Sequence, residues 1–222
     1  MGRAYRFLDE RLNLTPLLKD LANHPVPEHA NPRKKWSAYM YCLGGLAFFV
    51  ILIQIVTGVF LMTYYVPSPD HAYNSVVYIQ NEVFFGSLLQ SLHRVGASAT
   101  VVLVVLHMLR VFVTGSYKNP RELNWIAGLF LLLIVLAFGF TGYLLPWDQK
   151  AYWATTVGVN MVATVPLFGD FLAEVLMGGP EVGALTLTRF FAVHVMFLPI
   201  LLIVFLAAHF FMVRRQGISR PL

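Results

Sequence analysis

The sequence has little charge and almost no cysteine, and each shortage excludes a class of protein. Only 12% of the 222 residues are charged, whereas an ordinary soluble domain has about 25%. The single cysteine excludes an internal disulfide bond, and no Cys-x-x-Cys motif occurs. The polar, proline-containing start of the chain does not have the pattern of a signal peptide. With 58% hydrophobic residues, most of the chain is expected to lie in lipid or against other apolar chains.

Four apolar stretches are each long enough to cross a membrane, and together they predict an all-α integral membrane four-helix bundle. A hydrocarbon core of about 30 Å needs about 20 helical residues. The predicted spans, named A to D, cover about 39–65, 88–114, 124–146 and 189–213. They form one domain, 38–222, after an N-terminal surface segment, 1–37. Residues 5–21 fit an amphipathic helix on the membrane surface, with packing on a soluble partner as the alternative.

Lysine and arginine are unevenly distributed among the segments between the spans. The tail before span A has seven, and the loop between spans A and B has none. Because cytoplasmic segments carry the excess of positive charge, both termini are predicted to face the cytoplasm or an equivalent negative side. The clustering of basic residues at span ends indicates topology, so no nucleic-acid partner is expected. The basic residues outside the N-terminal tail that enter this argument are Lys118, Arg121, Lys150, Arg214, Arg215 and Arg220.

Four histidines lie inside the apolar spans in two matched pairs. His93 and His107 are fourteen residues apart on span B, and His194 and His209 are fifteen apart on span D. A histidine within a span is costly and needs a partner. Fourteen helical residues rise about 21 Å and return to within about 40° of the starting face, and fifteen turn about 60° the other way. Two antiparallel spans would therefore offer two opposed histidine pairs, a suitable cage for two haems that transfer electrons.

Glycines on the other two spans repeat the same interval. Gly44 and Gly58 on span A are fourteen residues apart, and so are Gly128 and Gly142 on span C. A flat macrocycle beside a helix requires a missing side chain, so this interval is consistent with haem packing at two levels. Close packing of helices through small residues is the alternative explanation.

Basic residues near the histidines are candidates for binding haem propionates. They are Arg94 and Arg110 on span B, together with Arg121 and Arg214 at the negative side. Basic side chains that extend from span ends to the membrane surface are the alternative. That alternative explains Arg94 less well, because its side of the membrane is otherwise nearly without positive charge.

Two further features remain ambiguous from the residues alone. Cys42 lacks a Cys-x-x-Cys-His context, so it has the character of a small buried hydrophobic residue. At the end of span C, Pro146 stops the helix beside Tyr143 and Trp147. This aromatic segment suits either the interfacial belt of a membrane protein or a pocket for a quinone ring.

The joint spacing of several motifs resembles the cytochrome b6 family, the four-helix b subunits of cytochrome bc and b6f complexes. The likeness is greatest to the short form in menaquinol:cytochrome c reductases of Gram-positive bacteria, and it covers essentially the whole chain. The motifs are Tyr41-Cys-Leu-Gly-Gly45, Ser91-Leu-His-Arg94, Leu106-His-Met-Leu-Arg110, Lys118-Asn-Pro-Arg-Glu-Leu123, Gly139-Phe-Thr-Gly-Tyr-Leu-Leu-Pro-Trp-Asp148, Thr186-Leu-Thr-Arg189 and Arg214-Arg-Gln-Gly-Ile-Ser219.

The resemblance implies a set of cofactors and sites. His93 and His194 would bind a haem b on the positive side, and His107 and His209 a haem b on the negative side. Cys42 would bind a third, c-type haem through a single thioether bond at the quinone-reducing site, contrary to its interpretation from the residues alone. The implied activity is quinol oxidation with reduction of a c-type cytochrome or plastocyanin-like acceptor, coupled to proton translocation.

The resemblance also implies partners in a dimeric complex, in a bacterial cell membrane rather than a thylakoid. Longer cytochromes b have a Pro-Glu-(Trp/Tyr) motif at the quinol-oxidising site, and this sequence does not. A subunit IV-like chain is therefore expected to supply that acid, with a Rieske iron–sulfur protein and a c-type cytochrome as further partners. Two alternatives are a passive dihaem membrane anchor and a transporter whose histidines relay protons.

Overall fold

The computed structural model describes Thr15 and residues 36–219 of the chain. The predicted surface segment 1–37, with its amphipathic helix at 5–21, lies almost wholly outside the described residues. Compactness divides the chain into two units, Met1–Tyr39 and Met40–Leu222, and all of the candidate site residues belong to the second unit. Its described part contains helices and no strand, which confirms the all-α class. After a 3-10 helix, Trp36–Cys42, the α-helices are α1 Leu43–Met62, α2 Ala72–Asn81, α3 Gly86–Val113, α4 Glu122–Leu144, α5 Gln149–Ala163, α6 Gly169–Met177, α7 Ala184–Ala192 and α8 Leu198–Gln216.

Four helical segments are long and apolar enough to cross a membrane. Span A is Tyr39–Met62, which combines the end of the 3-10 helix with α1. Spans B and C are α3 and α4, and span D is the continuous run Ala184–Gln216. Span D begins five residues before its predicted start and continues three beyond its predicted end. Its 33 residues exceed the roughly 20 that a bilayer core requires, so the helix is longer than the hydrocarbon core.

Apolar side chains are exposed along all four spans, as a lipid environment requires. Val56, Val95, Leu133 and Ile203 are each 60% exposed or more, and such exposure in water would forgo about 1.5–3 kcal/mol for each side chain of this size. In lipid, that cost disappears. Helices satisfy their own backbone hydrogen bonds, which is the other condition for crossing a bilayer. The protein is an integral membrane protein.

Span D contains one π-helical turn, Val193–Phe197, between α7 and α8. The Leu198 N–H donates to the Val193 carbonyl, five residues back. Pro199 follows within the first turn of α8. Since proline has no N–H and its ring would collide with a carbonyl four residues earlier, the wider turn accommodates it. The π-turn contains His194 and takes up one extra residue of chain.

Two clusters of buried residues connect the spans and the loops. One joins Ile51, Leu131, Ile134, Leu198 and Leu202 of spans A, C and D. The other lies where span C ends and joins α2, α4 and α7 through Ala72, Leu144, Val182, Leu187 and Phe190. Span B packs most extensively against span A, and span D against span C. The histidine-bearing spans B and D are therefore each supported by a glycine-bearing span.

Candidate haem centres

The structure brings the four histidines of spans B and D together as two opposed pairs. The rings of His93 and His194 have centres 6.4 Å apart at an interplanar angle of 68°. The rings of His107 and His209 have centres 6.5 Å apart at 80°. We call these the upper and the lower pair. Because the first histidine of span B meets the first of span D, and the second meets the second, the two spans run parallel, and the antiparallel packing expected from the sequence is wrong. All four side chains are half-buried.

The separation within each pair fits two imidazoles that share one iron. Metal–nitrogen bonds of about 2 Å on either side would put the two ring centres about 6 Å apart. The observed 6.4 and 6.5 Å match this distance at both levels. The donor set of two neutral nitrogen ligands is also the one that electron-transferring haems use. The residues therefore fit two haems.

The fifteen-residue spacing on span D is explained by the π-turn. In an unbroken α-helix, His209 would be turned about 60° from His194, against about 40° in the opposite sense for the pair on span B. His194 lies within the π-turn, which absorbs one residue. Spans B and D then carry their histidines in equivalent register, so both pairs meet with nearly equal separations.

Each of the four predicted glycines lies nearest to one of the four histidine rings. A Cβ atom at Gly58 would lie 3.2 Å from Cε1 of His93, and one at Gly142 would lie 2.6 Å from Cε1 of His194. At the lower level, the corresponding distances are 2.9 Å from Gly44 to His107 and 3.9 Å from Gly128 to His209. The glycines of spans A and C thus make room for the imidazole rings. The sequence interpretation assigned this space to the haem macrocycle.

The predicted propionate-binding arginines have different surroundings. Arg94 is exposed, and Arg110 is half-buried with its guanidinium 4.9 Å from the centre of the Tyr41 ring. Arg121 donates from Nη2 to the Gln216 carbonyl at 3.0 Å, which fastens the start of span C to the end of span D. Arg214 is half-buried on the last turn of span D. Their binding of propionates stays a prediction.

Cys42 is exposed at the last position of the 3-10 helix that leads into span A. It is not the small buried hydrophobic residue that its sequence context alone suggests. Its neighbour Tyr41 contacts Arg110, three residues after His107, so Cys42 lies at the end of span A that carries the lower level. The exposure leaves its thiol accessible to a large group.

The predicted quinol-pocket residues lie together where span C ends. Trp147 has a positive φ of 54°, uncommon for a bulky residue, and packs among the aromatic side chains around Leu144. Tyr143 is 54% exposed and Pro146 is half-buried. The neighbouring Asp148 accepts a hydrogen bond from the Ala151 N–H at 2.8 Å. That carboxylate therefore caps α5.

Two threonines that the sequence interpretation did not single out contact the upper pair. Thr57 Oγ1 lies 2.9 Å from Nδ1 of His93, and Thr141 Oγ1 lies 3.1 Å from Nδ1 of His194. The available signal was the dipeptide Thr-Gly, which occurs at 57–58, 114–115 and 141–142, and whose first and last occurrences include glycines of the fourteen-residue repeats. Only the packing of the spans shows that both hydroxyls reach a histidine.

Comparison with known proteins assigns the chain to a family. A family profile described as cytochrome b/b6/petB matches residues 29–217. The chain belongs to the cytochrome b/b6 family. It is 54% identical to the menaquinol:cytochrome c reductase cytochrome b subunit of Geobacillus thermodenitrificans and 53% identical to that of Bacillus subtilis (strain 168), with complete coverage of both chains in each case.

The fold is also that of a solved respiratory complex. This cytochrome b family member superposes on a chain of a hyperthermophilic respiratory Complex III with a TM-score of 0.86 and 32% identity. The match covers 97% of the present chain and 56% of the other. The present chain therefore shares its four-span fold with part of that chain.

Proposed function

We propose that the chain is the cytochrome b subunit of a quinol:cytochrome c reductase, and that it carries electrons across the membrane. The observation that supports this most is the pair of opposed histidine sites, each with the ring separation that one iron requires. The relatives named as menaquinol:cytochrome c reductase subunits, which match over their whole length, favour menaquinol as the electron donor.

The chain's own residues would hold two haems b within the bundle. The upper one would bind to His93 and His194, and the lower one to His107 and His209. Bound haems would supply one-electron transfer, because two histidine ligands leave the iron without an open position for substrate. The apolar faces of the four spans exclude water from both levels, which favours electron transfer over side reactions.

At the lower level, Cys42 would hold a c-type haem through one thioether bond. Three properties support this assignment. The thiol is exposed, it lies at the same end of the bundle as His107, and its neighbour Tyr41 contacts the Arg110 guanidinium. A quinone-reducing site at this end would receive electrons from the lower level.

Quinol oxidation would take place near Tyr143, Pro146 and Trp147, at the end of span C beside the upper pair. Oxidation needs a group that accepts protons. Asp148 is engaged as a helix cap, so we assign proton acceptance to a subunit IV-like chain. One electron would pass to a Rieske iron–sulfur protein and then to a c-type cytochrome or plastocyanin-like acceptor. The other would cross the membrane and reduce quinone, which couples the reaction to proton translocation.

We place the upper pair on the positive side and the lower pair on the cytoplasmic, negative side of a bacterial cell membrane. The positive-inside rule supports this orientation, because the lysines and arginines cluster beside the lower level. Both termini would then face the cytoplasm. The complex would be dimeric, as the family resemblance implies.

Purification of the 222-residue chain alone and with its partners tests this function. Redox-difference spectra of the chain alone should show two b-type haems without quinol oxidation. Addition of a subunit IV-like chain and a Rieske protein should produce quinol:cytochrome c reductase activity. A chain without haem would exclude the proposal and favour a transporter. Steady reductase activity from this chain alone would show that the assignment of proton acceptance to a subunit IV-like chain is wrong. Haem binding with no reductase activity in any assembly would favour a passive dihaem anchor.

A further inference from the structure

The upper histidine pair has a second contact that the lower pair lacks. Thr57 donates its hydroxyl proton to the Ile53 carbonyl at 2.7 Å and faces Nδ1 of His93. Thr141 does the same with the Ala137 carbonyl at 2.7 Å and faces Nδ1 of His194. Both threonines are almost fully buried, at 2% and 5% exposed. Two separate helices thus present the same arrangement to the same site.

The single proton of each threonine hydroxyl determines the tautomer of the imidazole that it contacts. A threonine hydroxyl has one proton and two lone pairs. Since the proton is directed to a carbonyl four residues back, the hydroxyl can only accept from the histidine. Nδ1 must then carry the hydrogen, and in a neutral ring the free lone pair is on Nε2. Nε2 is the atom that can bind iron.

The corresponding positions at the lower level carry no hydroxyl. Leu43 precedes Gly44, and Ala127 precedes Gly128, where the upper level has threonine before glycine. The Nδ1 atoms of His107 and His209 are buried and make no hydrogen bond of normal geometry within the described residues. Backbone groups lie beside three of the rings, those of Gln54 at His93, Phe138 at His194 and Asn124 at His209. The hydroxyl therefore distinguishes the upper pair.

We propose that Thr57 and Thr141 are positioning residues that fix the tautomer and ring orientation of the two upper ligands. This inference rests on the proposed function. A hydrogen bond accepted from the distal ring nitrogen raises the basicity of a histidine ligand. A more basic ligand stabilises ferric over ferrous iron, so the two hydroxyls lower the midpoint potential of the upper haem. The lower haem has no such contribution from a side chain.

Valine variants test the proposal because valine keeps the shape of threonine and removes the hydroxyl. Thr57→Val and Thr141→Val would be made in the full-length chain within its assembled complex. Thr100→Val is the matched control. Thr100 is also buried at 5% exposed, lies within span B, and donates to the Gly96 carbonyl at 2.8 Å. Its substitution removes the same kind of backbone bond at a position seven residues from both His93 and His107. Thr57→Ser and Thr141→Ser keep the hydroxyl.

The measurement is an optical redox titration of each b haem, with low-spin electron paramagnetic resonance spectra of the same samples. The midpoint potential of the upper haem should shift upwards in Thr57→Val and Thr141→Val. At an ambient potential equal to the unaltered midpoint, its reduced fraction should rise above one half. The lower haem should keep its potential. Thr100→Val should change neither haem, and the serine variants should resemble the unaltered protein.

Several outcomes would overturn the inference. They are an unchanged upper potential in both valine variants with haem bound, equal shifts of both haems, and the same shift in Thr100→Val. If the valine variants lose the upper haem, its retention in the serine variants supports the proposal, and its loss there as well refutes it. An unaltered chain without b-type spectra would overturn both the inference and the proposed function. Normal spectra with unshifted potentials would overturn the inference alone.

Discussion

The two histidine levels share one geometry but have different surroundings. Their ring separations differ by only 0.1 Å, 6.4 against 6.5 Å. The upper rings contact two threonine hydroxyls. In the lower pair, His107 lies near Arg110, and the buried Nδ1 atoms of both rings make no such contact within the described residues. The repeat of histidine and glycine along the spans produces the equal separation. The residues beside that repeat give each level its own electrostatic environment.

The difference also separates two tasks that a transmembrane electron carrier must perform. Binding one haem at each of two levels requires the same distance between iron and histidine at both levels. Giving the two levels different midpoint potentials requires unequal surroundings, since two identical sites would have equal potentials. The asymmetry in hydrogen bonding and nearby charge provides this inequality without any change in the ligands.

The largest expected effect comes from removal of a ligand at one level. His93→Ala should abolish the upper haem, because one imidazole cannot complete the site, and His107→Ala should abolish the lower haem. Redox-difference spectra of membranes should show one b-type component missing in each variant, and a different one in each. Two intact b haems in either variant would contradict the ligand assignment. Failure of assembly in one variant can be examined with His194→Ala or His209→Ala at the same level.

The next largest effect is expected from a deletion that tests the register of the two histidine-bearing spans. Removal of Val195, combined with Pro199→Ala, should convert the π-turn into α-helix and leave His194 and His209 fourteen residues apart, as on span B. Both haems should be retained. Removal of Thr100 from span B should turn His107 by about 100° relative to His93 and abolish at least one haem. Difference spectra of the two variants measure this contrast, and equal losses in both would disprove the role of the π-turn.

Loss of the thiol should affect the lower level alone. Cys42→Val should abolish covalent attachment of haem and leave both b haems in place. Peroxidase staining of the denatured chain, together with its mass, reports the attachment directly. The unaltered protein should retain one haem mass after denaturation. A haem-free mass for the native chain would refute the assignment to Cys42.

The smallest expected effect compares two glycines that face histidine rings. Gly142→Ala would place a Cβ atom 2.6 Å from His194, whereas Gly128→Ala would place it 3.9 Å from His209. The first clashes and the second is an ordinary contact. Overpacking of this kind costs typically about 1–3 kcal/mol, so Gly142→Ala should weaken binding of the upper haem and Gly128→Ala should leave the lower haem nearly unchanged. Haem occupancy in purified samples measures both, and equal losses would contradict the structure.

Sequence patterns were sufficient for the architecture and for much of the candidate site. The spans were predictable because a helix in lipid must be apolar over a fixed length. The histidine and glycine intervals were informative because helical periodicity converts spacing into a shared face. The α2 helix, Ala72–Asn81, was not predicted, since it is short and mixes apolar with polar side chains. Its packing against span B, and of Ala72 against the cluster at the end of span C, is a tertiary property.

The sequence by itself determined that this protein crosses a membrane on four helices and presents four histidines at two depths. Both properties follow from composition and spacing along single helices. Only the tertiary structure decided that the fifteen-residue interval matches the fourteen-residue one, and that Thr57 and Thr141 contact the upper rings. These facts depend on a π-turn next to Pro199 and on how neighbouring spans pack. Contacts between helices depend on relative rotation and depth, which spacing along one helix cannot specify.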